Sequence, residues 1–259
     1  MLDPERDQLR KSYEVCRVAF GFLSAALLIA CFDALMPVLA SFQGELAGLI
    51  RSSTWYHWLD VPITFGSFFG VMLLWGRFDH PGWRRRVGLL MIMSMVDVAL
   101  WYAEHATELD LVPRPFAHRW ICLSIGHSLG WAEFALMAGL ACDYLDHLGV
   151  ENVRESGKST RSMAATGAFV WLLFFFQHTN WFAGWPLIPH ARPRSIEVVL
   201  LYYAQTLIWA ITLVQVTALL LSAARMSGQV VAEMKAEDDN DDPLKPRSEW
   251  SKDLDLFNA

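Results

Sequence analysis

Lysine is missing from every long apolar stretch of this chain: Lys11, Lys158, Lys235, Lys245 and Lys252 all lie in polar segments. A retinal protein needs a buried lysine to form its Schiff base, so that class is excluded. Cysteine is scarce too. Cys16, Cys31, Cys122 and Cys142 are far apart in or beside apolar runs, without CxxC spacing, and read as small packing residues with neither a disulfide framework nor a zinc knuckle. No glycine-rich phosphate loop, nucleophile elbow, kinase motif set or CxxCH haem-attachment motif occurs, so soluble-enzyme chemistry is not indicated. The N-terminus, MLDPERDQLRKSYEV, carries both signs of charge and lacks the short apolar core of a signal peptide; the first apolar run is expected to be retained.

What the chain has in quantity is apolar sequence. Of its 259 residues 54% are hydrophobic and 13% aromatic, more than an ordinary water-soluble domain carries, and they are grouped in blocks. The net charge of -6 is misleading as an average, because acids gather at Glu233, Glu237, Asp238, Asp239, Asp241 and Asp242. Nucleic acid is therefore not an expected partner, and the lipid bilayer is.

Against a requirement of roughly 20 apolar residues per crossing, six segments qualify. They are Val15 to Ala40, Leu59 to Trp75, Val87 to Glu104, Ala117 to Cys142, Met163 to Ala183 and Ile196 to Ala223. The expected fold is an all-α, polytopic integral membrane protein. Residues 1–14 form an N-terminal segment, 15–223 a six-helix transmembrane domain, and 224–259 an acidic tail, disordered from Gly228 onward and available to a protein partner.

Arg10, Lys11 and Arg17, then Arg77 and Arg84 to Arg86, then Arg154, Lys158 and Arg161, and finally Arg225 and Lys235 fall in segments that share one side of a six-span protein. The positive-inside rule then places both termini in the cytoplasm, with a cell (inner) membrane as the location. Arg51, Arg114, Arg119, Arg192 and Arg194 on the opposite loops weaken this bias. Trp55, Trp58, Trp181 and Trp185 are expected in an outer aromatic belt, and Trp75 and Trp83 in an inner one.

Ionisable groups within spans are functional candidates, since each is costly there without a partner. Here they are Asp33, Asp97, Glu104, His105, His127, Glu133 and His178, joined by an uncharged stripe of Gln205, Thr212 and Gln215. At about 1.5 Å rise per residue, Asp33, Asp97, His127 and His178 fall at similar depth in the outer half, with Glu104 and His105 above them and Glu133 below. His127, Gly130 and Phe134 share a helix face from which Glu133 is displaced, so a single pocket using both His127 and Glu133 is not expected. Gly126 and Gly130 also match a GxxxG pattern that would let a neighbouring helix approach closely, with His127 as a hydrogen-bonded core histidine.

Four functions fit these residues. His127 and His178 would be axial ligands of one b-type haem in the outer half. Alternatively His105, His127 and His178 would hold zinc, with Asp97 or Glu104 as catalytic base. Asp33, Asp97 and Glu133 would form a proton relay in a proton-coupled transporter. Lastly, all these groups would be interhelical glue in a non-catalytic membrane subunit or scaffold.

Overall fold

The computed structural model describes residues 4–53, 56–77, 82–108, 119–150, 153–178 and 196–240. Among them there is no strand. Seven α-helices follow one another: α1 (Pro4–Phe42), α2 (Gly44–Arg51), α3 (Asp60–Leu74), α4 (Trp83–Glu108), α5 (Arg119–His147), α6 (Val153–His178) and α7 (Ile196–Asn240), with a 3-10 turn at Tyr56–Trp58 before α3. Local sequence marks the boundaries. Pro62, which lacks the N–H that an interior position must donate, sits in the first turn of α3. Gly76, Gly82 and Gly149 adopt positive φ in the connections that follow α3, precede α4 and follow α5.

Each of the six expected apolar segments coincides with a helix. Among the described residues, however, only α1 and α7 are long and apolar enough to cross a bilayer, while α3 is a shorter apolar helix. Helices α4 and α6 begin with charged turns, WRRR and VRES, that extend them on the polar side.

Successive long helices run antiparallel, as ion pairs and aromatic contacts at one end show. Arg6 of α1 pairs with Glu237 of α7, and Arg10 with Asp238 at 3.0 Å. Lys235 returns to Glu14 at 3.0 Å. At the same end, Arg86 at the start of α4 pairs with Asp143 near the end of α5, and Arg154 of α6 grips Asp146 through two bonds of 2.9 and 2.6 Å. Tyr144 ties the end together: its ring is 5.0 Å from that of Phe20, and its hydroxyl lies 2.7 Å from that of Ser227. Both helical termini, at Pro4 and Asn240, thus lie at one end of the bundle.

These pairs account for two departures from expectation. The first helix begins at Pro4 well before Val15, and α7 continues to Asn240 through residues expected to be disordered from Gly228. An acidic run is unfavourable at a helix C-terminus, where the macrodipole is already negative, and α7 has no basic residue in its last turn. The basic start of the antiparallel α1 supplies the missing cations. Residues 241–259 of the expected tail lie outside the described residues.

Close packing between α5 and α6 depends on glycines other than the expected pair. A Cβ at Gly157 would collide with the Cys142 thiol, and one at Gly167 with the Trp131 indole. Gly70 of α3 meets Leu23 and the Ala19 carbonyl of α1, at 2.7 and 3.0 Å from a built Cβ. Gly130 likewise admits an indole, that of Trp209 at 3.0 Å, whereas Gly126 has only Leu100 at 3.9 Å, so the GxxxG pair makes one close contact and one loose one. Trp83, expected at an aromatic belt, is fully buried and donates its indole N–H to the Leu74 carbonyl at 3.2 Å. Trp58 and Trp75 are exposed; Trp55, Trp181 and Trp185 lie outside the described residues. Cys16, Cys31 and Cys142 are free thiols.

Candidate functional site

Halfway along the bundle α1, α3, α4, α5 and α7 enclose a cavity of about 190 Å3. Helix α1 contributes Leu27 and Ala30, α3 Thr64 and Ser67, α4 Ser94 and Asp97, and α7 Trp209. The longest wall belongs to α5, through His127, Gly130, Glu133, Phe134 and Met137. This wall explains why the expected separation of His127 from Glu133 fails. The two residues stand about 120° apart on the helix, but Gly130 lies midway between them. With the cavity centred on that glycine, His127 and Glu133 form the two edges of one stripe.

Asp97 of α4 and Glu133 of α5 both line this cavity, and their carboxyl groups are neighbours across the α4–α5 interface. Ser94, one turn before Asp97, donates its hydroxyl to Oε1 of Glu133 at 2.9 Å. Glu133 is 6% exposed, so its charge or its proton is held away from bulk water. Two neighbouring carboxylates repel when both are ionised, and a proton on either one relieves that repulsion. The arrangement therefore binds and releases a proton with small movement of heavy atoms.

The hydroxyls on the opposite wall behave unusually. Thr160, Thr166, Thr212, Thr217, Ser222 and Ser227 each donate to the carbonyl four residues earlier in their own helix, the usual resting state of a helical hydroxyl. Thr64 and Ser67, one turn apart on α3, both line the cavity and make no hydrogen bond to the described residues. Ser67 is nonetheless only 8% exposed.

His127 is packed chiefly by aromatic rings. It stacks on Trp171 of α6 at 4.4 Å between centroids and meets Trp209 nearly edge-on at 5.8 Å. Trp209 in turn lies 4.7 Å from both Trp131 and Phe134. His127 makes no hydrogen bond to the described residues, unlike the hydrogen-bonded core histidine expected from its sequence context.

The remaining expected site residues divide clearly. Asp33 does not line the cavity; it accepts a 2.5 Å hydrogen bond from the Tyr56 hydroxyl, and this pairing links α1 to the turn before α3. The side chains of Glu104, His105 and His178 lie outside the described residues, and so do the haem pairing and the zinc set that use them. Among the described residues, no three His, Cys, Asp or Glu side chains are grouped to hold a metal ion. Within the polar stripe of α7, Gln215 accepts a 3.3 Å bond from Thr160, and Thr212 bonds its own helix. That stripe joins α6 to α7 at this level. Asp143 and Asp146 pair with arginines at the charged end, as a solvated face implies.

Three lining residues were not singled out from sequence: Ser94, Thr64 and Ser67. Their signal was spacing. Ser94 precedes Asp97 by three residues, and Thr64 precedes Ser67 by three, so each pair occupies one helix face. No family model, curated protein or solved structure matches the chain.

Proposed function

We propose that the chain is a multi-pass membrane protein whose six long helices α1, α3, α4, α5, α6 and α7 cross a cell (inner) membrane with both termini cytoplasmic, and that it is a proton-coupled carrier. The residues that take up and release the proton are Asp97 and Glu133. The single observation that carries this reading is the pair of neighbouring carboxyl groups, Asp97 and Glu133, on the wall of a mid-bundle cavity. Acids at that depth are costly unless they serve a path for ions or protons.

The outward faces of the bundle support the membrane part of the reading. Leu28 and Leu35 of α1, Ile92 and Met95 of α4, Phe169 of α6, and Leu207 and Val214 of α7 are all exposed. Apolar exposure spread over four helices is unfavourable in water and natural against lipid. Orientation is supported by the arginines at the end that holds both termini, Arg6, Arg10, Arg17, Arg77, Arg84, Arg85, Arg86, Arg154 and Arg161. A haem in this cavity is disfavoured by size, because cofactor pockets begin at roughly 300 Å3.

The test is proton flux. The full chain, reconstituted in phosphatidylethanolamine and phosphatidylglycerol vesicles holding a pH-sensitive dye, is expected to dissipate an imposed pH gradient faster than empty vesicles. Glu133→Gln, which keeps an acceptor for Ser94 but removes the exchangeable proton, should slow that flux at least ~10-fold, the scale on which general acid–base groups act. Flux in Glu133→Gln equal to that of the unaltered protein would overturn the proposal.

A further inference from the structure

The proton reading leaves part of the cavity unexplained. A carboxyl pair that only stored a proton would be complete with Ser94 as its donor. Yet Thr64 and Ser67 face the same space without hydrogen-bond partners among the described residues, although helical hydroxyls elsewhere in the bundle bond back to their own backbones. Ser67 is buried and Thr64 half-buried; an unpaired buried hydroxyl costs about 1–3 kcal/mol, so Ser67 above all calls for a ligand or ordered water in the cavity.

Around the carboxyl pair the cavity presents the side-chain oxygens of Thr64, Ser67 and Ser94, while the imidazole of His127 stands at the other edge of the α5 stripe, stacked on Trp171. Carboxyls and hydroxyls are the donor chemistry of a hard cation, and a single imidazole does not make the ligand set that a softer metal would call for. Charge selects among hard cations. Removing a divalent ion from water costs far more than removing a monovalent one, and calcium sites meet that cost with several ionised carboxylates. Here two neighbouring acids, which together release one proton readily and two only at high cost, meet otherwise neutral donors, which suits a monovalent ion. The cavity has room for such an ion together with a few waters to complete its shell.

We propose that Thr64, Ser67, Ser94, Asp97 and Glu133 form a sodium site in which Na+ takes the place of the proton on the carboxyl pair. The proton leaves to water, both carboxylates stay ionised, and sodium supplies the single positive charge that the proton had supplied. The buried charge is the same before and after, so the exchange avoids the large cost of changing net charge inside the bundle. This assignment deepens the carrier reading, on which it rests for the identity of the exchanged proton, by naming the ion that competes with it. Thr64 and Ser67 become the residues that distinguish sodium from a proton, since a proton needs only the carboxyl pair.

The experiment is sodium-induced proton release from the full chain in detergent, in weak buffer with a pH indicator, with choline chloride as the ionic-strength control. Sodium chloride should release about one proton per chain, because a cation that needs ionised ligands displaces their protons. Ser67→Ala and Thr64→Val, which barely alter volume, should each raise the sodium concentration for half-release about tenfold. Ser222→Ala, an outward-facing hydroxyl bonded to its own helix, should leave it unchanged. Equal release by sodium and choline overturns the site, as does release of two protons by calcium or magnesium with none by sodium. Unchanged half-release in both Ser67→Ala and Thr64→Val overturns it as well. The carrier reading is separated by repeating the vesicle measurement with and without sodium. Sodium-dependent release from a protein that moves no protons upholds the site and overturns only the carrier, whereas flux insensitive to sodium overturns only the sodium assignment.

Discussion

At the end of the bundle where both helical termini lie, Arg6, Arg10, Arg86, Arg154 and Lys235 each meet a carboxylate from a neighbouring helix. Around the mid-bundle cavity the polar groups are fewer and more buried, and Asp97 and Glu133 are neighbours with no basic side chain beside them among the described residues. The charged end follows the rule for a structural polar network, in which opposite charges neutralise one another and correct the helix dipoles. The cavity departs from it: like groups are adjacent, and two hydroxyls have no hydrogen-bond partner among the described residues. Stability-driven sequences avoid such groupings in their interiors, so the departure marks where function constrains the chain.

The comparison can be broken at the interior first, where effects are largest. Gly167→Val forces a branched side chain into the Trp131 indole that forms the back of the aromatic cluster beside the cavity. Overpacking of this kind costs about 1–3 kcal/mol. Thermal unfolding in detergent should show a clear fall in Tm, and an unchanged Tm would mean that the α5–α6 contact is looser than the coordinates place it. At the charged end the effect is smaller and has a different signature. Asp238→Asn removes the negative charge that Arg10 meets at 3.0 Å and Arg6 at 3.5 Å. Partly exposed pairs contribute about 0.2–1 kcal/mol, and salt screens them over about 10 Å at 0.1 M. The Tm loss should therefore shrink as sodium chloride rises toward 1 M, while that of Gly167→Val should persist. A salt-independent loss in Asp238→Asn would erase the distinction between the two regions.

How much of this was legible in the sequence depends on whether a residue's role is set along its own helix or between helices. The apolar blocks fixed all six long helices, and the arginines at Arg84 to Arg86 and Arg154 correctly marked one polar end, because both signals are local. Asp97 was a candidate on similar grounds, as an acid in an apolar run. The pairing of Asp97 with Glu133 was not legible, because it depends on how α4 and α5 are rotated against each other. Judging Glu133 by the face of His127 alone put the two apart, when the centre of the stripe was Gly130. Close helix contacts were legible only in part for a similar reason. GxxxG spacing pointed to Gly126 and Gly130, and Gly130 does meet Trp209 at 3.0 Å, but the tightest contacts are at Gly157 and Gly167, which only the bulk of Cys142 and Trp131 opposite them marks. The continuation of α7 to Asn240 also needed its partner, since an acidic helix end is unfavourable until the basic start of α1 lies beside it.

The smallest effect is expected at Asp7, and its sign separates the charged end from the cavity most cleanly. The Asp7 carboxyl accepts from Arg10 at 2.6 Å and lies 2.6 Å from the Lys11 ammonium, and its hydrogen bond with Lys11 is the main cause holding its pKa below the ordinary Asp value. A carboxyl whose folded pKa is lowered stabilises the folded state above its unfolded pKa. That contribution is lost as pH falls through the lowered folded value. The Tm difference between the unaltered protein and Asp7→Asn should thus be constant at neutral pH, begin to close below about pH 4, where unfolded Asp protonates, and vanish at still lower pH. Every other carboxyl is common to both proteins, so the difference between them isolates Asp7. Because Asp7 is solvent-exposed, the gap should also narrow in high salt. A gap that widened on acidification would mean that the neutral form of Asp7 is the one the folded bundle prefers, which is the behaviour expected of a carboxyl without a cationic partner.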